Sequence, residues 1–327
     1  MNPRIFFELA VKFFRIRFLR QRIPLKVSFH ITYRCNLGCS FCSRKDIDMP
    51  EMDTAQIKKM MDEFREMGTF FWVFNGGEPL LRPDLGELID HAKELGFHTS
   101  LVTNGTLLEE RLKNEASFGR LDYVQLSLEG PRDVHDRMCG QGSYDKIMAC
   151  LGFLKIKKIK TNILALIAKQ NLDFFDDILE TASGFGASVV FQPVAGQDGI
   201  GSGMQECVPE EDAFKKAVIK LIGRKKNGAP IASSAGYLSL LKDHWPHMPH
   251  GTICYAGRLF CNVDPEGNVV PCCSKLSCRD LRQPGAKIGF KEAFGRIQDV
   301  SCCSSCYYFG PQEINLFSLF SMKGRSF

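Results

Sequence analysis

Between Leu25 and about Pro193, short β-branched or aromatic runs alternate with amphipathic helical stretches. This alternation constrains the fold more than any other feature of the chain. The runs Lys26–Tyr33, Phe70–Asn75, Thr99–Thr103, Tyr123–Leu128, Thr161–Ile167 and Ser188–Pro193 read as strands. Helices are expected near Asp53–Met67, Asp84–Leu95, Leu108–Phe118, Ser143–Lys155 and Leu172–Ser183. Asp53, with Gln56 three positions on, matches a capping-box start. Strands that alternate with helices imply parallel pairing through right-handed crossovers. The pattern stops after six strands, so an open or incomplete α/β barrel is expected rather than a closed eight-unit one, with ligands at the C-terminal strand ends.

Beyond the barrel, Gly196, Gly199, Gly201 and Gly203 make residues 195–204 a flexible connection. Residues 209–223 read as a helix whose end carries Arg224-Lys225-Lys226, a basic run that complements the helix dipole. Residues 258–273 read as a β-hairpin turning through Asp264-Pro265-Glu266-Gly267. Four segments follow: an amphipathic N-terminal helix (1–24), a core barrel (25–204), a helical connection (205–253) and a small cysteine-rich β-hairpin/helix extension (254–327).

The 327 residues are 44% apolar and 24% charged, the balance of a soluble globular protein. Net charge is 42 − 37 = +5, but residues 1–26 hold seven basic side chains against Glu8 alone, leaving the body at −1. No nucleic-acid surface is therefore expected. No apolar stretch is long enough to span a membrane and no secretory signal is seen, so the expected location is cytoplasmic. There, the 14 cysteines read as metal or cluster ligands rather than disulfides. Cys139, Cys150 and Cys207 stand alone and read as packed small hydrophobes.

Cys35, Cys39 and Cys42 follow the first strand in a loop with Asn36 and Gly38. Three thiolates this close suit one face of an iron–sulfur cube, leaving one iron open to a small molecule. A zinc knuckle is the competing reading, weakened by the lack of a further Cys or His at finger-like spacing.

The run Tyr33-Arg34-Cys35-Asn36-Leu37-Gly38-Cys39-Ser40-Phe41-Cys42 resembles the signature loop of the radical S-adenosylmethionine (radical SAM) superfamily, including the aromatic Phe41 before the last cysteine. The resemblance implies a partial (βα)6 TIM-like barrel over residues 25–195. It also implies a 4Fe–4S cluster on Cys35, Cys39 and Cys42 whose open iron takes S-adenosylmethionine. Asn75-Gly76-Gly77-Glu78-Pro79 matches the loop that binds the methionyl amino group. Thr103 falls where the family places a hydroxyl near the cofactor, and Ser127-Leu128-Glu129-Gly130 resembles the ribose-binding segment. Ser127 and Glu129 share strand parity, so both can face the barrel interior. One departure is the run His135-Asp136-Arg137-Met138-Cys139-Gly140, with Cys139 where arginine is common; Arg137 stands close by.

Cys254 before the hairpin, Cys272 at its end and the pair Cys303 and Cys306 supply four thiolates, enough for a second 4Fe–4S cluster or a structural zinc. Cys302 could replace Cys303, while Cys261, Cys273 and Cys278 default to packing. The pattern resembles the auxiliary-cluster extension called Twitch or SPASM. The resemblance implies 5′-deoxyadenosyl radical formation and hydrogen abstraction from a peptide, a cofactor precursor or a lipid. A one-electron reductant such as flavodoxin or ferredoxin is the implied partner. The rival is a non-catalytic zinc- or cluster-stabilised binding or electron-transfer protein.

Three further features stay open. Residues 4–20 combine basic and Phe-rich faces, suiting either an anionic membrane surface at the inner face or packing across the barrel bottom. His244, His247 and His250 suit a metal site less well than a turn-rich loop. Gln192 ends the last strand as a candidate pocket residue.

Overall fold

The computed structural model describes residues 3–42, 47–194, 202–246, 254–276, 278–298, 306 and 308–315. After helix α1 (Pro3–Phe18), strand and helix alternate: β1 (Lys26–Thr32), α2 (Thr54–Glu66), β2 (Phe71–Gly76), α3 (Leu85–Glu94), β3 (His98–Thr103), α4 (Leu108–Asn114) and β4 (Tyr123–Ser127). Two helices, α5 (Arg132–Cys139) and α6 (Ser143–Ile156), precede β5 (Thr161–Ile167), α7 (Phe175–Phe185) and β6 (Ser188–Pro193). These six strands pair in chain order, all parallel. This is the expected α/β partial barrel, and Asp53 caps α2 reciprocally with Gln56 at 2.8 and 2.9 Å.

Strand parity builds two surfaces. Val27, Phe29, Ile31, Trp72, Phe74, Leu101, Val124, Leu126, Ile163 and Phe191 face the helices and share one core with Ile57, Phe64, Leu88, Leu151 and Ile178. Trp72 stacks on Phe97 at 5.2 Å. The alternate positions, including Ser28, His30, Val73, Ser100, Gln125 and Gln192, line a cavity of about 380 Å³ inside the barrel.

Four expectations need correction. The helix expected over Leu108–Phe118 ends at Asn114; Glu115 is extended and a 3-10 segment (Ala116–Arg120) turns Phe118 into the core. Likewise α7 begins at Phe175 after a 3-10 turn (Leu172–Phe174). Helix α5 was not expected, because it is only eight residues long and mostly polar. Finally, the hairpin β7 (Phe260–Val263) and β8 (Asn268–Val270) is continuous with the barrel: β7 pairs parallel with β1, Lys26 opposite Phe260, giving a nine-stranded sheet 6-5-4-3-2-1-7-8-9 that ends at β9 (Gln283–Pro284). Val263 joins the helix-side core, Phe260 and Asn262 line the cavity, and Cys261 belongs to the core while also bordering the cavity.

The chain crosses from β6 to β7 through α8 (Glu211–Lys226) and α9 (Ala235–His244), joined by Phe214 stacked on Trp245 at 3.9 Å. Short helices α10 (Gly285–Ile288) and α11 (Phe290–Arg296) follow β9. Helix α12 (Phe309–Asn315) then returns to β6, where Phe309 N–H donates to Gln192 Oε1 at 3.2 Å. Leu9, Phe13 and Ile16 of α1 pack with Leu25, Tyr255, Leu259 and Phe260, so one face of α1 lies across the barrel bottom. The expected glycine connection over 195–204 falls largely outside the described residues, as do His247 and His250.

Candidate functional site

The loop after β1 is clamped from three sides. Gly77 N–H donates to the Thr32 carbonyl at 2.7 Å and Glu78 N–H to that of Arg34 at 2.8 Å. A Cβ on Gly76 would stand 2.2 Å from the Thr32 oxygen, and one on Gly77 would stand 2.3 Å from the Arg34 oxygen. Gly76 also has a φ of +149°. The two glycines thus let β2 press against the cysteine loop's backbone, a closer constraint than the ligand approach read from the sequence. From the β3 end, Asn104 Nδ2 reaches Asn36 Oδ1 at 2.9 Å and Cys35 Sγ at 3.9 Å, while Asn36 donates to Thr106. From α5, the Met138 carbonyl accepts from Ser40 N–H at 2.8 Å. Phe41 and Leu37 pack on Val134, Met138 and Cys139.

Below the loop, Glu51 joins the Arg34 guanidinium at 3.0 and 3.1 Å and also accepts from Thr32 and Arg82. Nothing in the cysteine spacing marks Glu51 or Asn104; both are found only by tertiary contact.

Cys35, Cys39 and Cys42 are all free and partly exposed. Burial, then the charges of Glu78, Cys39 and Cys42, push the Cys35 thiol up, so the three lie within electrostatic reach of one another. Cys39 is drawn down by its contact with Cys139, and its Sγ is turned onto the Cys139 carbonyl at 3.8 Å. Among the described residues no trio of Cys, His, Asp or Glu side chains is gathered as a metal-binding group.

The carboxylates expected at the cofactor are deeply placed. Glu78 is 0% exposed and accepts from Thr103 Oγ1 (2.7 Å), Asn104 N–H (2.8 Å) and Leu80 N–H (3.1 Å). Thr103 has the outward parity of β3, and its hydroxyl points to Glu78 rather than into the barrel. Burial raises Glu78 to about 7. Glu129 is buried, accepts from Leu166 N–H at 2.8 Å, and is raised to about 8, chiefly by burial. Ser127, half-buried, keeps the parity of Tyr123 and Gln125, which line the cavity. Glu129 N–H donates to His135 Nδ1 at 3.1 Å, which places the ring proton on Nε2, a buried atom with no partner among the described residues. Asp136 caps α6 through Gly142 and Tyr144 N–H, both at 2.9 Å. Arg137 turns to solvent, 69% exposed, and pairs with Asp133, so it does not stand in for the missing arginine.

The second cysteine group lies towards the other end of the barrel, where Cys254 and Cys272 pack with the α1 cluster. Burial, then the charges of Cys272 and Cys254, raise the Cys306 thiol to about 12. Cys303 and Cys302 lie outside the described residues. Cys261 is a core residue, as are Cys139, Cys150 and Cys207. Cys273 lines the cavity near Lys26, the first residue of β1. The two groups thus lie towards opposite ends of β1, whose seven residues span about 23 Å. The cavity lies between them, from Lys26, Phe71 and Tyr123 to His30 and Asn75.

Residues 29–182 match the family described as the Radical SAM superfamily, covering the cysteine loop and the strand ends that clamp it. These residues thus carry a radical SAM domain. The whole chain is 28% identical to the PqqA peptide cyclase of Rhodopseudomonas palustris over 91% of its own length and 84% of the relative's. It is also 28% identical to mycofactocin maturase MftC of Mycolicibacterium smegmatis, over 88% and 76%. The fold is shared with Streptococcus suis SuiB bound to S-adenosylmethionine (TM-score 0.66, 15% identity, 88% of this chain and 71% of that one). AdoMet-bound anSMEcpe shares it too (TM-score 0.67, 19% identity, 84% and 81%). As a radical SAM enzyme, the chain has the donor set such a cofactor needs: three free thiols on one loop at the C-terminal edge of the sheet. The non-catalytic alternative is thereby set aside.

Proposed function

We propose that this radical SAM enzyme modifies a peptide or peptide-derived cofactor precursor whose reacting side chain enters the barrel cavity. One observation carries the reading. The cysteine loop sits on the strand ends whose preceding residues, His30 and Asn75, form one end of a 380 Å³ cavity. That volume suits one side chain or a small precursor, not a folded partner. The names of the relatives, a peptide cyclase and a maturase, support the peptide class.

In this reading Cys35, Cys39 and Cys42 hold a 4Fe–4S cluster, with S-adenosylmethionine on its open iron. When bound, the pair supplies a 5′-deoxyadenosyl radical by one-electron cleavage of a carbon–sulfur bond. The protein orients and shields. Gly76 and Gly77 seat β2 against the loop, while Glu78, from beneath, fixes Thr103 and the Asn104 backbone that positions the loop. Ser127 and Glu129 flank the ribose side, and Phe41 closes the loop on α5. The cavity walls are mostly apolar, with ordered polar pairs such as His30 with Asn262 at 3.2 Å to hold a substrate's orientation.

We extend the proposal to the second group: Cys254, Cys272, Cys303 and Cys306 carry an auxiliary 4Fe–4S cluster in a Twitch/SPASM-like extension. The electrostatic influence of Cys272 and Cys254 on Cys306 supports it. Cys35, Cys39 and Cys42 are free thiols, which fits a reducing cytoplasm and a flavodoxin or ferredoxin reductant.

The test is anaerobic reconstitution with iron and sulfide, followed by S-adenosylmethionine, dithionite and a deuterated cell extract split into peptide and small-molecule pools. Deuterium carried into 5′-deoxyadenosine from the peptide pool is expected. Absence of 5′-deoxyadenosine sinks the whole reading, and deuterium from the small-molecule pool alone sinks the peptide class.

A further inference from the structure

Helix α1 has two apolar faces, and only one is used by the fold. Leu9, Phe13 and Ile16 are 7%, 7% and 1% exposed and seal against the barrel bottom. On the opposite side Phe7, Val11, Phe14 and Phe18 are 70%, 39%, 48% and 57% exposed. Their spacing of i, i+4, i+7 and i+11 places them within one arc of about 60°, at about 100° per residue. Phe14 and Phe18 touch, with ring centroids 4.8 Å apart, so the face is a continuous stripe. Leu19, just past the end of the helix, is also exposed, at 58%. An aromatic stripe of this size on a soluble surface marks a contact.

Charge decides what the contact is. Arg15 and Arg17 stand on the two sides of the stripe, each roughly 80° from its centre, and both are exposed. Arg20 follows, also exposed, and the Arg17 guanidinium lies 5.6 Å over the Phe18 ring. The single acid of residues 1–26, Glu8, pairs with Lys12 at 2.8 Å. A stripe of phenylalanines between arginines complements a layer that is apolar within and negative at its edge. A second copy would instead bring like-charged arginine rows together. No described helix is long and apolar enough to cross a membrane, so the contact is with its surface.

We infer that the Phe7–Val11–Phe14–Phe18 stripe of α1 seats the protein on an anionic lipid bilayer, with the barrel bottom towards the membrane. This goes beyond the catalytic reading and is independent of it. The full-length reconstituted protein is mixed with vesicles of phosphatidylglycerol and phosphatidylcholine, or of phosphatidylcholine alone, and sedimented. Binding to the anionic vesicles, weakened by added salt, is expected. The double variant Phe7→Ser, Phe14→Ser should lose about tenfold in partitioning. Arg15→Glu with Arg17→Glu should lose the preference for phosphatidylglycerol. Neither pair touches the cysteine loop, so both should keep wild-type formation of 5′-deoxyadenosine, which shows that the fold is intact. The inference is overturned if the intact protein ignores anionic vesicles or if Phe7→Ser, Phe14→Ser binds as the parent does. It is equally overturned if the parent is a dimer that this variant turns into a monomer.

Discussion

Thr103 Oγ1 donates to Glu78 Oε1 at 2.7 Å, and at 2% and 0% exposure neither residue meets solvent. The pair underlies the turn that holds the cysteine loop, and it carries a pH signature. Burial raises Glu78 from 4.5 to about 7, so the folded chain binds this proton more tightly than the unfolded one. The stability it contributes is complete below the unfolded value and is lost as pH rises through about 7. Glu78→Gln removes that dependence. Its unfolding free energy should fall less than the parent's between pH 4.5 and 7, by about 3 kcal/mol. One acceptor oxygen is also lost, at a cost of about 1–3 kcal/mol at every pH. Parallel denaturant titrations of the two proteins check this; identical pH slopes would count against it.

Gly77→Ala should abolish the loop clamp. Its Cβ would stand 2.3 Å from the Arg34 oxygen and 2.5 Å from that of Tyr33, and both are backbone atoms with no rotamer to change. We expect a loss of about 3 kcal/mol or more and no iron retained at Cys35, Cys39 and Cys42, read by anaerobic melting and iron counting. A variant that melts like the parent refutes the close-approach argument.

Cys272→Ser with Cys306→Ser should lower iron by about four atoms per chain while S-adenosylmethionine cleavage persists. Iron and sulfide assays beside a 5′-deoxyadenosine assay measure both. Unchanged iron content would show that these thiols hold no cluster.

Arg137→Ala should be silent. Its ion pair with Asp133 is 3.5 Å long between side chains 69% and 76% exposed. Such pairs are worth under about 1 kcal/mol. A large fall in S-adenosylmethionine affinity, measured by calorimetry, would return this arginine to the site.

Much of the barrel is legible because its signal is local. Six strands were read to within a residue or two at either end, since Val, Ile, Phe and Thr runs between turn residues reflect a sheet buried beneath helices. Asp53 and Gln56 declare α2 within four residues. What escaped is what depends on distant partners: α5, short and mostly polar, and the 3-10 turn that returns Phe118 to the core. The union of β7 with β1 also escaped, because a parallel pair joining residues 26 and 260 leaves no trace in either segment alone.

The site divides in the same way. Donor identity and spacing, Cys35, Cys39 and Cys42 on a strand-end loop, belong to the amino-acid order, as do the glycines that follow β2. The order of residues could not tell that those glycines serve the approach of backbone to backbone, or that Thr103 turns outward to Glu78. Nor could it tell that Cys254 and Cys272 lie at a barrel bottom already covered by one face of α1. Spacing is a property of the chain, whereas burial and facing are set only when strands in register exclude water from one side and leave the other open.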